Sequence, residues 1–436
     1  MKQSIWQKDV VLPQFKSIQE DKKTDVLIIG GGLCGLLCAY YLEQAGVPYI
    51  LLEGSRIAAG TTGYTTAKIT SQHGLIYAKT LQAYGTEKAQ MYLKSNELAL
   101  SEYEKLCSNA DCDFEKKNAY TYSVDDRRKI EEEVRAVNRL GFGATFEETY
   151  ELPFRTAGAV CFRNQAQFHP LKFITMLAKN LNIFEESFVD EIAPHGVWVN
   201  GHRVQAEKII VTTHFPFINK HGSYFLKLYQ HRSYVSAFDN VPTFSGMYVD
   251  ENKKGLSFRT YKNLLLLGGS GHRTGKQSGA WGALSNQMRA FYPEAVLRGE
   301  WAAQDCMSLD GIPYIGQYAK NTPDLYVASG FNKWGMTSSM VAAMILSDMV
   351  QGKKNEFAEV YSPQRSILKP QLVINGLEST VNLLTPTKKR CPHLGCALKW
   401  NRAEHSWDCP CHGSRFDEDG SLLNNPATGD LDSKKP

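Results

Sequence analysis

The stretch DVLIIGGGLCG at residues 25–35 decides the fold of the first part of the chain. Residues 25–29 predict a short apolar strand, and the apolar run at 33–45, closed by Gly46, predicts a helix. Residues 47–52 predict the next strand, so the three elements form a βαβ unit. Parallel strands joined by a helix place a ligand at the carboxyl ends of the strands.

The glycines of this stretch indicate what that ligand is. Gly30, Gly32 and Gly35 satisfy the pattern GxGxxG, and a helix begins inside it. Gly30 permits the tight turn, Gly32 lets the backbone approach a pyrophosphate, and Gly35 allows close packing of helix on strand. Glu53 ends the second strand, eighteen residues after Gly35, where a carboxylate can accept hydrogen bonds from ribose hydroxyls. The spacing predicts a dinucleotide site but does not separate FAD from NAD.

Length and charge limit the other possibilities. A chain of 436 residues is long enough for two or three compact units. A formal charge of +4 predicts neither nucleic-acid binding nor membrane-surface binding. The longest apolar run, around residues 340–346, is too short to span a bilayer, and residues 1–6 lack the apolar region of a signal peptide. We therefore expect a cytoplasmic protein with no transmembrane segment.

Residues 24–352 resemble the D-amino-acid-oxidase family of FAD-dependent oxidoreductases. The resemblance rests on the glycine motif, on GTTG at 60–63 running on to Lys68, and on the segments at 167–171, 310–313 and 330–337. It implies FAD as the cofactor, and further binding residues at Thr61, Thr62, Val189, Gly330, Trp334, Gly335, Met336 and Thr337. A helix beginning near Met336 would direct its N–H groups at the anionic edge of a reduced flavin. GGSG at 268–271 lacks the third glycine of an NAD(P)H motif, so we expect electrons to enter from an organic substrate.

Cysteines and histidines near the C terminus predict a metal centre. Cys391 and His393 form C-x-H, and after fifteen residues Cys409 and His412 form C-x-x-H. Two thiolates and two imidazoles suit a [2Fe-2S] cluster with Cys on one iron and His on the other. Spacing alone also permits a Cys2His2 zinc site.

The two loops, at 391–396 and 409–416, resemble Rieske proteins of the cytochrome bc type, which favours the cluster over zinc. The resemblance implies that Cys391 and Cys409 ligate one iron, and His393 and His412 the other. It also implies a disulfide between Cys396 and Cys411, a hydrogen bond from Ser414 and a covering loop at 425–427. Phe416 stands where these proteins often carry a tyrosine, whose hydroxyl raises the potential, so we expect a lower value.

The predicted fold class is α/β, or α+β overall. A Rossmann-like FAD-binding domain is interleaved with a mixed-sheet substrate domain, and a small β-rich Rieske module follows. The expected parts are an arm at 1–24, FAD-binding segments at 25–75, 156–215 and 301–362, substrate-domain segments at 76–155 and 216–300, and the linker and module at 363–436. Apolar residues at 372–374 and 381–384 are the only candidates upstream of Cys391 for strands of the module. So short a module should depend on its metal and on docking.

A flavin accepts hydride, whereas a [2Fe-2S] cluster passes single electrons. We therefore expect a dehydrogenase in which an amine or amino acid reduces the flavin and the cluster relays electrons to an unidentified one-electron acceptor. Arg259 and Lys333 are candidates for binding a substrate carboxylate, and Lys68 for tuning the flavin. Two alternatives stay open: a redox-sensing or electron-carrier protein without substrate turnover, and an oxidase using O2 with a structural cluster module.

Overall fold

A computed structural model describes residues 2–193, 195–219, 221–252, 254–277 and 279–431. In that part of the chain the strands are, in order, β1 Lys22–Ile29, β2 Tyr49–Leu52, β3 Lys68–Ile69, β4 Glu115–Ser123, β5 Thr145–Glu147, β6 Gly158–Gln167, β7 Ile183–Phe184, β8 Val189–Ala193, β9 Gly196–Val199, β10 His202–Val211, β11 Leu228–Asp239, β12 Met247–Asp250, β13 Ser257–Tyr261, β14 Leu264–Arg273, β15 Val296–Ser308, β16 Tyr314–Gln317, β17 Leu325–Ser329, β18 Lys399–Asn401, β19 Ser406–Asp408, β20 Arg415–Phe416 and β21 Leu422–Asn424.

The α-helices of the same residues follow the apolar patterns of the sequence. They are α1 Leu33–Gln44, α2 Tyr77–Cys107, α3 Arg127–Arg139, α4 Pro170–Leu177, α5 Tyr224–Lys227, α6 Ala280–Phe291, α7 Gly335–Val350, α8 Ala358–Tyr361 and α9 Pro370–Leu384. Gly85 interrupts α2 with a φ of 81°. Short 3-10 helices lie at Ile5–Gln7, Thr61–Tyr64 and Ala178–Asn180.

The first sheet confirms the predicted Rossmann-like unit. Its order is β16-β17-β10-β1-β2-β7, and the β8–β9 hairpin extends it from β10. Strands β1, β2 and β10 are parallel, with Ile29 beside both Leu52 and Val211. The residues after these strands, Gly30, Glu53 and Thr212, therefore meet at one edge of the sheet.

Helices α1 and α7 cover this sheet as a buried layer. Leu36, Leu37, Val341 and Leu346 are fully buried in the largest apolar cluster of the described residues. Both helices are apolar on most sides, the pattern of helices enclosed within a large core. Their burial fixes the N-terminal end of each helix at the same edge of the sheet as the predicted cofactor site.

The second sheet is mixed and runs β15-β11-β14-β13-β12-β4-β6-β3, with β5 beside β6. Two boundaries in the predicted domain organisation need correction here. Strand β6 lies in the second sheet although residues 156–215 were expected to be FAD-binding, because it pairs along its length with β4. The segment 301–362 was also expected to be FAD-binding. Its first residues instead belong to β15, which pairs with β11 in the second sheet.

The C-terminal module contains a small antiparallel sheet in the order β18-β19-β20-β21, as the β-rich prediction required. The prediction of module strands at 372–374 and 381–384 was wrong. Both stretches belong to helix α9, which Pro370 begins. The module therefore consists of the small sheet, the two cysteine-containing loops and this helix.

Candidate active site and cluster site

The glycine turn after β1 is shaped for close approach of a ligand. Gly30 has a φ of 112°, and a Cβ there would lie 2.8 Å from the Thr212 carbonyl oxygen. A Cβ on Gly35 would lie 1.9 Å from the Gly30 oxygen, so Gly35 provides the tight contact of helix on turn. At Gly32 a Cβ would meet only the Thr62 hydroxyl, at 3.5 Å. The space beside Gly32 is therefore open to the cavity, and a side chain would fill it.

Glu53 lies at the adjacent strand end and also lines the cavity. Its carboxylate accepts hydrogen bonds from the backbone N–H of Gly31, at 2.6 Å, and of Ser55, at 2.9 Å. Burial raises the pKa of Glu53, while these two backbone donors partly oppose the rise. Glu53 thus fixes the glycine turn and leaves a carboxylate at the position predicted for ribose recognition.

The loop that follows β2 connects this turn to the second sheet. The Thr62 hydroxyl accepts a hydrogen bond from the Leu33 N–H, at 3.1 Å, at the beginning of α1. Thr61 donates to the carbonyl of Gln304 in β15, at 2.8 Å. Both threonines and Val189 line the cavity, and their contacts with the cofactor stay a prediction.

The loop before α7 forms the opposite wall. Trp334, Gly335 and Met336 line the cavity, whereas Gly330 and Thr337, which were also predicted to contact the cofactor, do not. His73 stacks on Trp334, with ring centroids 5.1 Å apart, and its Nε2 is 2.9 Å from the Thr337 hydroxyl. Burial lowers the pKa of His73 to about 3, so the ring is neutral. Nothing in the sequence had singled out His73 as a site residue.

These walls enclose a cavity of about 1160 Å³ lined by residues of both sheets and of the C-terminal module. Lys68 and Lys333 line it, and their roles toward the flavin and the substrate stay predictions. Burial, aided by the charge of Arg259, lowers the pKa of Lys68 to about 7. The Lys68 ammonium also donates to the Thr66 hydroxyl, at 3.1 Å.

Arg259 does not line the cavity, which removes the basis for its proposed role in binding a carboxylate. It is fully buried and donates to Gln167 Oε1 at 2.7 Å, to the Phe168 carbonyl at 2.9 Å and to the Thr66 carbonyl. A guanidinium that donates to three protein acceptors has few N–H groups left with which to bind a ligand. Arg259 instead anchors the segment that leads into Lys68.

The cavity also contains a buried acid that the sequence did not indicate. Asp305 lines it, and burial raises the pKa of Asp305, while the positive charge of Lys333 partly opposes the rise. Ser233 donates to Asp305, at 3.4 Å. The cavity is therefore lined by an acidic and a basic side chain, Asp305 and Lys333, that interact electrostatically.

The four predicted cluster ligands lie together at the tips of two loops. Cys391 and Cys409 are in hydrogen-bond contact, and this contact together with the Ser414 hydroxyl lowers the pKa of Cys391 to about 7. The rings of His393 and His412 have centroids 4.9 Å apart. The Nδ1 atom of His412 is buried without a hydrogen-bond partner, which suits a nitrogen that binds metal.

The remaining cysteines of the loops form the disulfide Cys396–Cys411, as predicted. Cys396, Cys409 and Cys411 have sulfur atoms within 4.8 Å of one another, but the disulfide removes two of them as thiolate ligands. Ser414 accepts a hydrogen bond from Ala427 of the predicted covering loop, at 3.0 Å. Phe416 is fully buried and offers no hydroxyl.

The second cluster loop is held by the second sheet through four consecutive carbonyl groups. Arg273 donates to the carbonyls of Pro410 and Cys411, at 2.8 and 2.9 Å. The amide of Gln230 donates to the carbonyl of His412, at 2.9 Å, and that of Gln304 to the carbonyl of Gly413, at 2.7 Å. A Cβ on Gly413 would lie 2.5 Å from the Cβ of Gln230, so only glycine permits this approach.

The strands that hold this loop also line the cavity. Tyr229, His231 and Ser233 of β11 line the cavity, whereas Gln230 and Arg232, between them, contact the module. In β15 the same alternation puts Ala303 and Asp305 at the cavity and Gln304 against the module. Successive side chains of a strand point to opposite faces. The cavity and the cluster loop are therefore on opposite faces of the same two strands.

A buried ion network completes the docking. Glu404, in the turn between β18 and β19, accepts hydrogen bonds from Arg232 of β11 and, at 2.9 Å, from Arg415 of the module. Burial alone would raise the pKa of Glu404, but both arginines outweigh it and lower the pKa to about 2. The network links the module to the second sheet and had no signal in the sequence.

Comparison with known proteins identifies the family. A family model for FAD dependent oxidoreductases matches residues 25–349, and one for the Rieske [2Fe-2S] domain matches residues 349–435. The chain belongs to the FAD dependent oxidoreductases and carries a C-terminal Rieske domain. The cofactors are accordingly FAD and a [2Fe-2S] cluster, and the zinc alternative is excluded.

The chain is 32% identical to a Bacillus subtilis protein described as a Rieske 2Fe-2S iron-sulfur protein, YhfW, over 98% of this chain and 96% of that protein. Its fold is similar to that of glycine oxidase from Geobacillus kaustophilus, with a TM-score of 0.67 and 18% identity over 79% of this chain and all of that one. It is also similar to L-proline dehydrogenase from P. horikoshii, with a TM-score of 0.67 and 15% identity over 79% of this chain and 98% of that one.

The residues present fit both cofactors. The open space at Gly32 and the N-terminal end of α1 suit a pyrophosphate, and the buried Nδ1 of His412 beside two cysteines suits an iron ligand. Among the described residues no helix is long and apolar enough to cross a membrane.

Proposed function

We propose that the protein is a dehydrogenase that oxidises an amine or amino-acid-like substrate at FAD and passes the electrons singly, through its Rieske cluster, to an external one-electron acceptor. The observation that carries this proposal is the alternation along β11 and β15. Residues that line the cavity and residues that hold the cluster loop are immediate neighbours in these strands. A module attached only for stability would need no such placement beside the cavity.

When bound, FAD supplies a hydride acceptor and the cluster supplies a one-electron carrier. In the substrate, the carbon next to nitrogen gives up hydride, the nitrogen gives up a proton, and the C–N bond becomes C=N. The protein has to bind the substrate, remove that proton and exclude water. The cavity residues are suited to these tasks.

Lys333 and Asp305 support the amino-acid class. An amino acid carries a carboxylate and an ammonium group, and the cavity offers Lys333 for the first and Asp305 for the second. Lys68, whose pKa is about 7, can hold or release a proton near neutral pH, which suits the proton lost by the substrate nitrogen. Glycine oxidase and L-proline dehydrogenase, by their names, act on amino acids, which adds support from proteins of the same fold.

The second connection between the two sites runs through the segment after β10. Thr212 donates to the Gly30 carbonyl, at 3.0 Å, and the buried Phe215 ring lies against both cluster histidines, with centroid distances of 6.2 and 6.3 Å. Asn425 of the covering loop donates to the carbonyls of Thr213 and Phe215. This continuous chain of contacts is what a fixed relay between the sites would require.

A cytoplasmic location is part of the same proposal. Cys34, Cys38, Cys107, Cys112, Cys161 and Cys306 are unpaired in disulfides and buried in the flavoprotein part. Thiols kept reduced are typical of the cytoplasm. Immunodetection after cell fractionation under gentle lysis would test the location.

The test of function is His412→Ala in full-length protein, with His405→Ala as the matched control in the same module. His405 is exposed, pairs with Glu418 at the surface and has its ring against that of Trp400. We expect His412→Ala to lose the cluster and most of its turnover with a one-electron acceptor, while substrate still bleaches the flavin anaerobically at close to the normal rate. His405→Ala should change neither. The substrate comes from a panel of amines, N-methyl amino acids and 2-hydroxy acids.

Four results would contradict the proposal, each in a different way. Unchanged turnover without the cluster means that electrons leave directly from the flavin. Loss of flavin bleaching together with turnover assigns the module a structural role, and peroxide release that survives cluster loss points to an oxidase. Failure of the whole panel to bleach the wild-type flavin favours a carrier without substrate turnover.

A further inference from the structure

Helix α9 is built with its polar residues inside and its apolar residues outside. Its buried residues are Asn375 and Asn382, each 3% exposed. Val373, Leu377, Val381 and Leu384 are exposed to 64, 63, 62 and 76%. A surface helix of a water-soluble protein has the opposite arrangement, with its apolar residues toward the core.

Hydrogen bonds fix which side of α9 faces the rest of the protein. The Asn375 side chain accepts from Arg273, at 2.8 Å, the same guanidinium that holds the second cluster loop. The main-chain carbonyl of Asn382 accepts from the N–H of Ala397, the residue that follows the first cluster loop, at 2.9 Å. The orientation of α9 is therefore fixed by its polar contacts with the cluster region, and the apolar face cannot turn inward without breaking them.

The exposed apolar residues form one continuous face. Val373, Leu377, Val381 and Leu384 are spaced by four, four and three residues, so they lie along one side of the helix, with Ile374 beside them. Leu368, just before the helix, is also largely exposed. We call these six residues the α9 apolar face. A continuous, uncharged apolar face of six residues on a protein surface indicates a binding site for another molecule or for a membrane.

The charges around the face indicate what that contact is. Between residues 366 and 398 the chain has four basic residues, Lys369, Lys388, Lys389 and Arg390, and one acidic residue, Glu378. Glu378 is paired with Lys276, at 2.7 Å. Three of the chain's four net positive charges thus lie in this segment. Arg390 donates to the carbonyls of Leu383 and Thr385, which keeps its positive charge at the C-terminal end of α9.

We propose that α9 lies in the surface of an anionic phospholipid bilayer, with its apolar face among the acyl chains and Lys388, Lys389 and Arg390 at the headgroups. An apolar helix face with basic residues beside it is the combination that binds anionic membrane surfaces without spanning them. A second copy of the chain fits less well, because a two-fold contact through this face would bring two positive segments together. The proposal stands independently of the reaction assigned above.

The consequence is that the cluster module is the part of the protein nearest the membrane. Leu394, which is 41% exposed, follows His393 in the first cluster loop, and the Cys391 loop begins directly after Arg390. An electron acceptor held at the bilayer would reach the module without diffusing through the cytoplasm.

The experiment measures co-sedimentation of purified holoprotein with vesicles. Vesicles of phosphatidylcholine and phosphatidylglycerol in equal parts are compared with vesicles of phosphatidylcholine alone. We expect binding to the anionic vesicles that weakens with added salt. The variant Val373→Gln/Leu377→Gln/Val381→Gln should bind at least about tenfold more weakly, because it removes the apolar insertion. Lys388→Gln/Lys389→Gln should bind at least about fivefold more weakly and lose most of its salt dependence.

The matched control is Val11→Gln/Val124→Gln/Tyr150→Gln, which removes three exposed apolar residues elsewhere on the surface. It should bind within about twofold of the wild type. FAD content, cluster absorbance and circular dichroism establish that each variant is folded. Absence of binding to anionic vesicles, or binding that the α9 variant does not weaken, would overturn the proposal. A light-scattering mass that falls from dimer to monomer in the α9 variant, without vesicle binding by the wild type, would assign the face to a second copy.

Discussion

Replacing Glu404 by Gln tests how firmly the Rieske module is attached to the flavoprotein. The substitution keeps the shape of the side chain and removes the charge that Arg232 and Arg415 share. The Glu404 side chain is only 5% exposed, so solvent screens these pairs little. Arg415 retains Asp408 as a partner, at 2.9 Å, whereas Arg232 loses its partner in the module. The loss should therefore fall mainly on docking.

The size of the effect follows from the pKa of Glu404. The folded value is about 2 against an ordinary value of 4.5, and such a shift corresponds to about 3 kcal/mol of stability at pH 7. Because the folded pKa is lowered, this stability is complete above about pH 4.5 and is lost as the pH falls toward 2. The difference between wild type and Glu404→Gln should accordingly shrink to about 2 kcal/mol by pH 3.5.

The assay is thermal unfolding followed by two signals, the visible circular dichroism of the cluster and the fluorescence of released flavin. Glu404→Gln should lower the cluster transition much more than the flavin transition. The control is Glu418→Gln, the same substitution in the same module at an exposed pair with His405, where the expected effect is below about 1 kcal/mol. Equal shifts in the two variants, or a difference that does not change with pH, would refute the reasoning.

Three further predictions concern the cofactors and the cavity. Gly32→Asp should abolish FAD retention, because its carboxylate would occupy the open space predicted to hold the pyrophosphate. The control Gly143→Asp, with nothing near its Cβ position, should retain FAD, as measured by the absorbance of bound flavin. Cys396→Ser should still assemble the cluster but lose it faster, with one more titratable thiol, at Cys411; an unchanged bleaching rate of the cluster would contradict this. Lys68→Met should remove an ionisation near pH 7 from the pH profile of kcat/KM, and its persistence would exclude Lys68 as the titrating group.

The parts of the fold that the sequence predicted are those determined by neighbouring residues. The turn at Gly30 and the helix after it follow from local backbone requirements, and Glu53 follows from the end of the next strand. The cluster ligands are equally local, since each loop supplies one Cys and one His within a few residues. Such features form regardless of how the distant segments of the chain fold.

The failures depend on contacts between distant segments. Arg259 looked available for a substrate because nothing in its own strand reveals that Thr66, Gln167 and Phe168 surround it. The stretches at 372–374 and 381–384 looked like strands because each is short and mainly apolar, and a short apolar run does not distinguish a strand from part of a helix. Asn375 is instead held in a helix by Arg273, more than a hundred residues earlier.

The docking residues had no local signal at all. Gln230 and Gln304 are polar residues within strands, where the sequence suggests only exposure to solvent. Their amides are buried because they replace water as donors to the carbonyls of the cluster loop. Only the folded arrangement of module on sheet shows this role.

The four loop carbonyls held by Arg273, Gln230 and Gln304 have a consequence for kinetics. A module tied to rigid strands at consecutive residues has no freedom to swing, so the separation between the two redox sites is set once, when the chain folds. Electron exchange between them should then be a first-order event, indifferent to solvent viscosity and to protein concentration. Only the final delivery to the outside acceptor would slow in a viscous medium, and adding glycerol would separate these two stages of the reaction.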